Sequence, residues 1–188
     1  MDCRTEHLGR RWASHKKMWA MCDCCGLSKY AMTRVLGRGQ LPAHVFFLGE
    51  GPGRSEDACG EPFIGRSGKL LDIWVEYAQN AGTPFTFAMG NLVACRPTDR
   101  IGGPNRPPNG VEMKRCHEQW LSLMGLVNPQ LIVTLGKSAT TRFADQHTGR
   151  DTIELPHPAF ILRIGGIQSP RHEQSMRMLR DGIDQYVL

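Results

Sequence analysis

Long apolar runs are missing from this sequence: no stretch of 18 hydrophobic residues, the length that a membrane-spanning helix needs, occurs anywhere. The N-terminal segment MDCRTEHLGRRWASHKK also lacks the apolar centre of a secretory signal. Internal repeats and low-complexity tracts are absent as well. We therefore expect a soluble, cytoplasmic protein with no membrane partner.

A complete phosphate-binding loop is missing too. Gly68-Lys69 is followed by Leu70, where a nucleoside-triphosphate-binding loop needs a Ser or Thr hydroxyl to hold Mg²⁺. The glycine-rich stretch at residues 49–53 does not open directly into a helix, as a dinucleotide-binding fingerprint would. These absences disfavour hydrolysis of a nucleoside triphosphate.

What is present predicts one modest basic domain. With 188 residues, 40% of them hydrophobic, the chain can bury one substantial core, so we expect a single domain over 1–188, with residues 1–20 as an extension of a core over 21–188. The formal charge of +5 favours an acidic partner without identifying it. We expect a monomer.

Apolar runs alternate with helical patterns along the chain. This alternation is typical of parallel strands joined by crossover helices, and it predicts an α/β fold: a three-layer α/β/α sandwich around a four-stranded parallel sheet. The predicted strands are Ala43–Leu48, Phe87–Ala94, Leu131–Leu135 and Thr152–Leu155, and the predicted helices are Gly68–Gln79, Val111–Leu126, Ser138–Gln146 and Pro170–Tyr186.

The first predicted strand ends abruptly in Gly49-Glu50-Gly51-Pro52-Gly53. Glycines let a ligand approach the main chain, and Glu56, Asp57 and Phe63 follow closely. Carboxylates, bare amides and an aromatic ring are thus brought to the carboxyl end of a buried strand, where open α/β sheets place their active sites. An ordinary glycine-rich turn is the alternative.

The other predicted strands also end in polar residues. The second presents Asn91 shortly before Cys95, and Gly136-Lys137-Ser138 after the third begins a helix whose free amides could hold a phosphate. After the fourth, His157 is mounted between two prolines. Beyond it we expect an exposed apolar loop ending in a basic residue, suited to enter a base stack and formed by Phe160, Ile161, Leu162 and Arg163.

Seven cysteines in a reducing compartment are poorly explained by disulfides. A CxxC pair, Cys22 and Cys25, precedes the first strand, and Cys95 and Cys116 lie downstream. Four thiolates suffice for a four-iron, four-sulfur cluster (4Fe-4S) or for a tetrahedral zinc ion, although free buried cysteines also behave as small hydrophobes. Cys24 could compete as a ligand.

Five motifs in the same order resemble those of the iron–sulfur uracil-DNA glycosylases, called family four. They are GEGPGRSED, GEPFIGRSGKLLD, NLVACRP with NRPPNGVEMKRC, LIVTLG and HPAFILR, and the resemblance covers about Cys22 to Arg163. It implies hydrolysis of the N-glycosidic bond of uracil in single- or double-stranded DNA, leaving an abasic site. It also implies a 4Fe-4S cluster held by Cys22, Cys25, Cys95 and Cys116.

The resemblance also implies roles for individual residues. Phe63 would stack on the uracil, Asn91 would read its edge, His157 would lie near its O2 and the Gly51 backbone would approach it. Glu50 and Glu56 match two acidic positions, of which we favour Glu56 for orienting water. We further expect contacts with DNA from Ser67, Lys69, Arg106, Phe160, Ile161 and Arg163.

Two other functions stay open. One is a glycosylase that acts on another or a modified base; the other is a non-catalytic DNA-binding protein that keeps the fold and the cluster. The chain departs from the family pattern at Ala159, where relatives have serine, at Ala94, where they commonly have a basic residue, and in an apparent insertion at residues 99–103. These departures concern the grip on DNA more than the pocket.

Overall fold

The computed structural model describes residues 3–144 and 149–187, without the side chains of residues 3–8. Two short 3-10 helices, Leu27–Lys29 and Gly166–Gln168, accompany eight α-helices and five strands in this part of the chain. In chain order these are α1 (Cys3–Trp19), β1 (Arg38–Gly39), β2 (Val45–Gly49), α2 (Arg54–Cys59), α3 (Arg66–Ala81), β3 (Phe87–Asn91), α4 (Gly110–Arg115), α5 (His117–Val127), β4 (Leu131–Leu135), α6 (Lys137–Ala144), β5 (Asp151–Leu155), α7 (Pro158–Arg163) and α8 (Pro170–Tyr186).

The strands form one sheet in the order β1-β3-β2-β4-β5. β2, β3, β4 and β5 are parallel, as the sequence predicts, while β1 adds an antiparallel edge by pairing Arg38 with Met89. The two-residue β1 carries no recognisable strand pattern, so the sequence did not predict it. The expected α/β class is confirmed, with five strands instead of four.

Two apolar layers cover the sheet because successive residues of β2 point to opposite faces. Val45 and Phe47 belong to a core that includes Trp74 of α3 and Leu179 of α8. Phe46 and Leu48 belong to the opposite core, which is built on α5 and α6. β2 is completely buried at the centre of these three layers, and its carboxyl end is therefore a rigid mounting point for a site.

Some predicted bounds are wrong. The second strand ends at Asn91, three residues before Ala94, and the first begins at Val45 instead of Ala43. The helix predicted over Val111–Leu126 is two helices that meet at Cys116, the first begun by Asn109, whose side chain accepts the Glu112 N–H. The predicted end of the following helix, Gln146, lies outside the described residues, in which α6 reaches Ala144.

Three helices lack a sequence prediction: α1 near the N-terminus and the six-residue α2 and α7 beside the strand ends. Because α2 begins at Arg54 directly after Gly53, the expectation that the glycine-rich stretch does not open directly into a helix is wrong. Helix α7 replaces the exposed loop expected after His157; Pro158 occupies its first turn, where a missing N–H costs nothing. Across the described ranges, no helix combines the length and apolarity needed to cross a bilayer.

Candidate functional site: a base-sized cleft at the sheet edge

A cleft of about 360 Å³ opens at the carboxyl ends of β2 and β3. Its walls come from the glycine-rich loop after β2, the start of α3, the end of β3, the proline-rich loop and the start of α7. Among the predicted residues, it brings together Glu50, Gly51, Glu56, Phe63, Ser67, Asn91, Arg106 and His157. The convergence expected from the sequence is therefore present for these side chains.

Phe63 forms a wall of the cleft in an unusual backbone conformation. Its φ is 56°, in the left-handed region that non-glycine residues rarely enter. A Cβ on Gly49 would lie 2.6 Å from the Phe63 Cζ and 2.5 Å from the Asn91 Oδ1. The absence of a side chain at Gly49 thus allows the aromatic ring and the amide to meet at the end of β2.

Asn91 presents a nearly buried amide, with 5% of its surface exposed. It is the last residue of β3 and pairs with Gly49 of β2 in the parallel register. Within residues 3–144 and 149–187, its side chain has no hydrogen-bond partner, and its amide atoms are not among the fully buried unpaired ones, so they open to the cleft that they line. Both its donor and its acceptor are consequently available to a ligand.

His157 is held as a neutral donor. Its Nδ1 accepts the Ala159 N–H at 3.1 Å, so in the neutral ring the proton resides on Nε2. Burial, helped by the nearby Arg163, lowers the pKa of His157 below the ordinary 6.5. The Cβ that Gly136 lacks would approach the His157 Cβ to 3.0 Å, so the glycine after β4 makes room for this residue.

The two acidic residues occupy different environments. The Glu56 carboxylate accepts three backbone N–H groups, from Gly53 at 3.1 Å, Ile64 at 3.1 Å and Gly65 at 2.7 Å. Glu50 lines both this cleft and a smaller one of about 280 Å³ beside it, where no hydrogen bond from a described residue engages its carboxylate. The Glu56 carboxylate thus fixes the loop, and the Glu50 carboxylate stays open to the cleft.

Asp57 fixes the backbone from a buried position. Its Oδ1 accepts the N–H groups of Met32 at 2.8 Å and Thr33 at 3.2 Å. The Thr33 hydroxyl returns a hydrogen bond to the Asp57 carbonyl at 2.7 Å. Helix α2 is therefore tied to the segment that follows the CxxC pair.

The residues expected to contact DNA lie in different places. Ser67 lines the cleft, and Arg163, with Lys137 and Ser138, lines the smaller adjoining one. Lys69 is exposed on α3 away from both. Arg106 lines the cleft, yet its guanidinium binds Asp99 at 2.7 Å and Glu112 at 2.7 Å, which raises its pKa. Much of its charge is thus neutralised within the protein.

The prediction of an exposed apolar loop is wrong for Ile161. This side chain is 0% exposed and belongs to the core under α3 and α8. Phe160 packs partly against the same core, and its ring lies 5.8 Å from the Arg171 guanidinium. The helical turn of α7 directs these side chains inward, so in this conformation Ile161 cannot reach a base stack.

Four predicted cysteines converge beside an apolar cluster that contains Cys95 and Cys116. Cys25 accepts a hydrogen bond from the Cys116 thiol, which lowers the pKa of Cys25 to about 6 and raises that of Cys116. Burial raises the pKa of Cys95 to about 12, with smaller effects from Cys25 and Cys22. The Ala94 N–H donates to the Cys116 Sγ at 3.3 Å, as amides do to thiolate ligands.

The sequence reasoning missed Arg38 and Gly68. The Arg38 guanidinium donates to the carbonyls of Pro62 at 2.8 Å and Phe63 at 3.2 Å. A Cβ on Gly68 would lie 1.9 Å from the Phe63 carbonyl oxygen. The Gly-X-Gly pattern around Arg38 was the available signal, because Gly37 and Gly39 both have positive φ.

An aromatic wall, an unpaired amide and a neutral imidazole donor at the carboxyl edge of a parallel sheet define an α/β/α protein with a pocket suited to an extruded nucleobase. The family model described as "Uracil DNA glycosylase superfamily" matches residues 36–177, and the chain belongs to that superfamily. The resemblance seen in the motifs is thereby confirmed.

Three relatives described as type-4 uracil-DNA glycosylases are similar to this chain. The protein of Thermotoga maritima is 32% identical over 158 residues, covering 76% of this chain and 78% of the relative. That of Pyrobaculum aerophilum is 36% identical, covering 61% of this chain and 55% of the relative. That of Saccharolobus solfataricus is 34% identical, covering 64% of this chain and 53% of the relative. The match thus spans just over half of the length of the latter two relatives.

Proposed function

We propose that this protein excises uracil from DNA by hydrolysing the N-glycosidic bond, leaving an abasic site for repair. The observation that carries the proposal is the unpaired, nearly buried Asn91 amide facing the same cleft as Phe63. The amide opens to the cleft without a partner among the described residues, so both its donor and its acceptor can pair with a base that enters. The names of the relatives agree with this substrate.

Base recognition follows from the chemistry of the amide. The Asn91 carboxamide can donate to uracil O4 and accept from uracil N3–H, while Phe63 stacks on the ring. Cytosine presents the opposite pair, an amino donor and an unprotonated N3, and would leave two buried groups unpaired. Discrimination therefore comes from the cost of unsatisfied groups more than from the size of the cleft.

Bond cleavage needs stabilisation of two developing charges. As the glycosidic bond breaks, negative charge grows on the uracil, and the His157 Nε2–H is available to donate to O2. The sugar becomes positively charged, so a free carboxylate beside it stabilises that charge and orients the attacking water. We assign this role to Glu50, because the Glu56 carboxylate is engaged with three backbone amides.

We also propose a 4Fe-4S cluster at Cys22, Cys25, Cys95 and Cys116. Among the described residues no ready-made group of three His, Cys, Asp or Glu side chains is found, so the proposal rests on the family resemblance and on the four thiolates, which suit a four-iron cluster or, as the alternative, a tetrahedral zinc ion. The apolar wall and the Ala94 N–H bond to Cys116 suit such a group.

When bound, the cluster would cross-link the N-terminal segment to the β3 exit and α4. To test this assignment, the iron content, the sulfide content and the visible absorbance of the purified protein are measured in the wild type and in Cys95→Ala, which should lose them. Stoichiometric zinc without iron would contradict the assignment.

We further propose that the chain acts as a monomeric single domain on single- or double-stranded DNA, in the cellular compartment that holds the DNA. Packing of α1 against α5, with the His15 Nδ1 3.2 Å from the Ser122 Oγ, supports including the N-terminal segment in that domain. Single-stranded and duplex substrates should be compared directly, and the native mass measured.

The decisive experiment uses an oligonucleotide with one uracil, incubated with the protein and then treated with alkali. We expect cleavage at the uracil, none in a matched cytosine oligonucleotide and none with Asn91→Ala. Intact strands with tight, salt-sensitive binding would instead support a non-catalytic DNA-binding protein. Cleavage only at a deaminated purine or another modified base would support the alternative substrate.

A further inference from the structure

The conformation of Phe63 requires a restraint. This residue lies between α2 and α3 with φ at 56°, a conformation that non-glycine residues keep only where their surroundings enforce it. Its ring must nevertheless stay at a fixed distance from the Asn91 amide if a flat base is to be stacked and read at once. The groups that hold its backbone therefore bear on base recognition.

Arg38 holds the carbonyl side of this segment. Its Nε donates to the Pro62 carbonyl at 2.8 Å and its Nη2 to the Phe63 carbonyl at 3.2 Å, so one planar guanidinium fixes two successive peptide groups. Asp72 of α3 lies 3.4 Å from the Nη2 and orients the guanidinium. On the other side of Phe63, Glu56 accepts the N–H groups of Ile64 and Gly65.

The backbone that carries Arg38 is joined to the strand that carries Asn91. Arg38 pairs with Met89 of β3, two residues before Asn91. Gly37 and Gly39, with φ of 108° and 116°, permit the close approach: a Cβ on Gly39 would lie 2.5 Å from the Phe87 carbonyl oxygen. One rigid edge of the sheet thus holds both the reading amide and the arginine that restrains the stacking ring.

We propose that Arg38 is a positioning residue for base recognition: through the carbonyls of Pro62 and Phe63 it holds the Phe63 ring in stacking register with the Asn91 amide. Arg38 does not line the cleft, so it acts through Phe63 rather than on the substrate. The inference rests on the proposed uracil-excising function. It predicts that Arg38 affects binding of the base but not binding of the DNA backbone.

The test compares the affinity for two single-stranded oligonucleotides that cannot be cleaved. One carries 2′-fluoro-2′-deoxyuridine, whose glycosidic bond resists hydrolysis; the other carries a tetrahydrofuran abasic analogue at the same position. We expect Arg38→Met to weaken binding of the uracil oligonucleotide about tenfold and to leave the abasic one unchanged. Arg38→Lys, which keeps the charge but cannot bridge two carbonyls, should fall between wild type and Arg38→Met.

Arg177→Met is the matched control, because it removes one arginine and one ion pair from the exposed face of α8. It should leave both affinities unchanged. Equal weakening of both oligonucleotides by Arg38→Met, or no weakening of either, would overturn the inference. If the wild type itself showed no preference for the uracil oligonucleotide, the proposed function would fail, and the role of Arg38 with it.

Discussion

Individual residues of the cleft are distinguished by what already binds them. Glu50 and Glu56 lie six positions apart, yet three backbone N–H groups donate to the Glu56 carboxylate while the Glu50 carboxylate has no hydrogen-bond partner among the described residues. His157 is likewise fixed as a donor by the N–H that it accepts. Assignment of chemical roles therefore depends on these hydrogen bonds more than on residue type.

This difference gives a prediction for the two carboxylates. Glu50→Gln should lower the single-turnover rate of uracil excision about 100-fold or more while the melting temperature stays within a degree or two of wild type, because only the charge beside the sugar is lost. Glu56→Gln should lower the melting temperature, since its amide group would face the Gly53 N–H with a donor. Single-turnover kinetics and calorimetry check both.

The opposite pattern, an inactive but stable Glu56→Gln and an active Glu50→Gln, would restore the assignment that the sequence suggested. The sequence predicted the meeting of Phe63, Asn91 and His157, because Asn91 and His157 lie close to strand ends and Phe63 follows the glycine-rich loop after β2. It could not distinguish the two glutamates, whose side-chain directions depend on the path of residues 53–65. The Gly-X-Gly pattern around Arg38 indicates an unusual backbone there, but it does not reveal that the partners of the guanidinium are the Pro62 and Phe63 carbonyls.

Among the elements, length decided what could be predicted. The strands β2 and β4 are short but entirely apolar and buried, and α8 is long enough to show a helical period, so the positions of all three follow from the hydrophobic pattern. Helices α2 and α7 have six residues each, too few for a periodic face, and are set by glycine or proline neighbours and by tertiary contacts. The exposed loop expected at α7 was wrong because Ile161 is more stable in the core.

Helix α3 provides a prediction at this scale. A Cβ on Gly68 would lie 1.9 Å from the Phe63 carbonyl oxygen, which Arg38 holds in place, so Gly68→Ala should destabilise the protein by about 3 kcal/mol or more. Gly125→Ala in α5 is the matched control: nothing lies within 4 Å of the added methyl, and about 0.5–1 kcal/mol of stabilisation is expected. Urea denaturation of both variants measures the difference.

An unchanged free energy of unfolding in Gly68→Ala would mean that the segment around Phe63 yields easily, and would weaken the role given to Arg38. In the proposed function, the contact between α3 and this segment is what makes the stacking wall rigid. The stability of the helix and recognition of the base are then coupled through one backbone contact.

The molecule as a whole is held at three places by neutral histidines. His15 joins α1 to α5 through Ser122, His172 of α8 accepts the Trp74 Nε1–H of α3 at 3.0 Å, and His157 accepts the Ala159 N–H beside the cleft. Burial is the main cause that lowers the pKa of each below 6.5. Packing on both sheet faces and at the site therefore depends on uncharged imidazoles.

Acid should consequently destabilise the fold before its carboxylates titrate. Below pH 6.5 these histidines bind protons in the unfolded chain but not in the folded one, because their pKa values are lower in the folded state. Their contribution to the free energy of unfolding is therefore fully present above pH 6.5. It decreases as the pH drops towards the folded-state pKa values, by at most about 1.4 kcal/mol per pH unit for each histidine. Arg106 lowers the pKa of Glu112, so protonation of this carboxylate reduces the free energy of unfolding only below about pH 4.5. The melting temperature of the wild type, measured from pH 8 to pH 5, should be constant down to about pH 6.5 and then decrease. His172→Gln keeps an acceptor for Trp74 but cannot titrate, so its melting temperature should decrease less. A wild-type melting temperature that stays level down to pH 5 would contradict the argument.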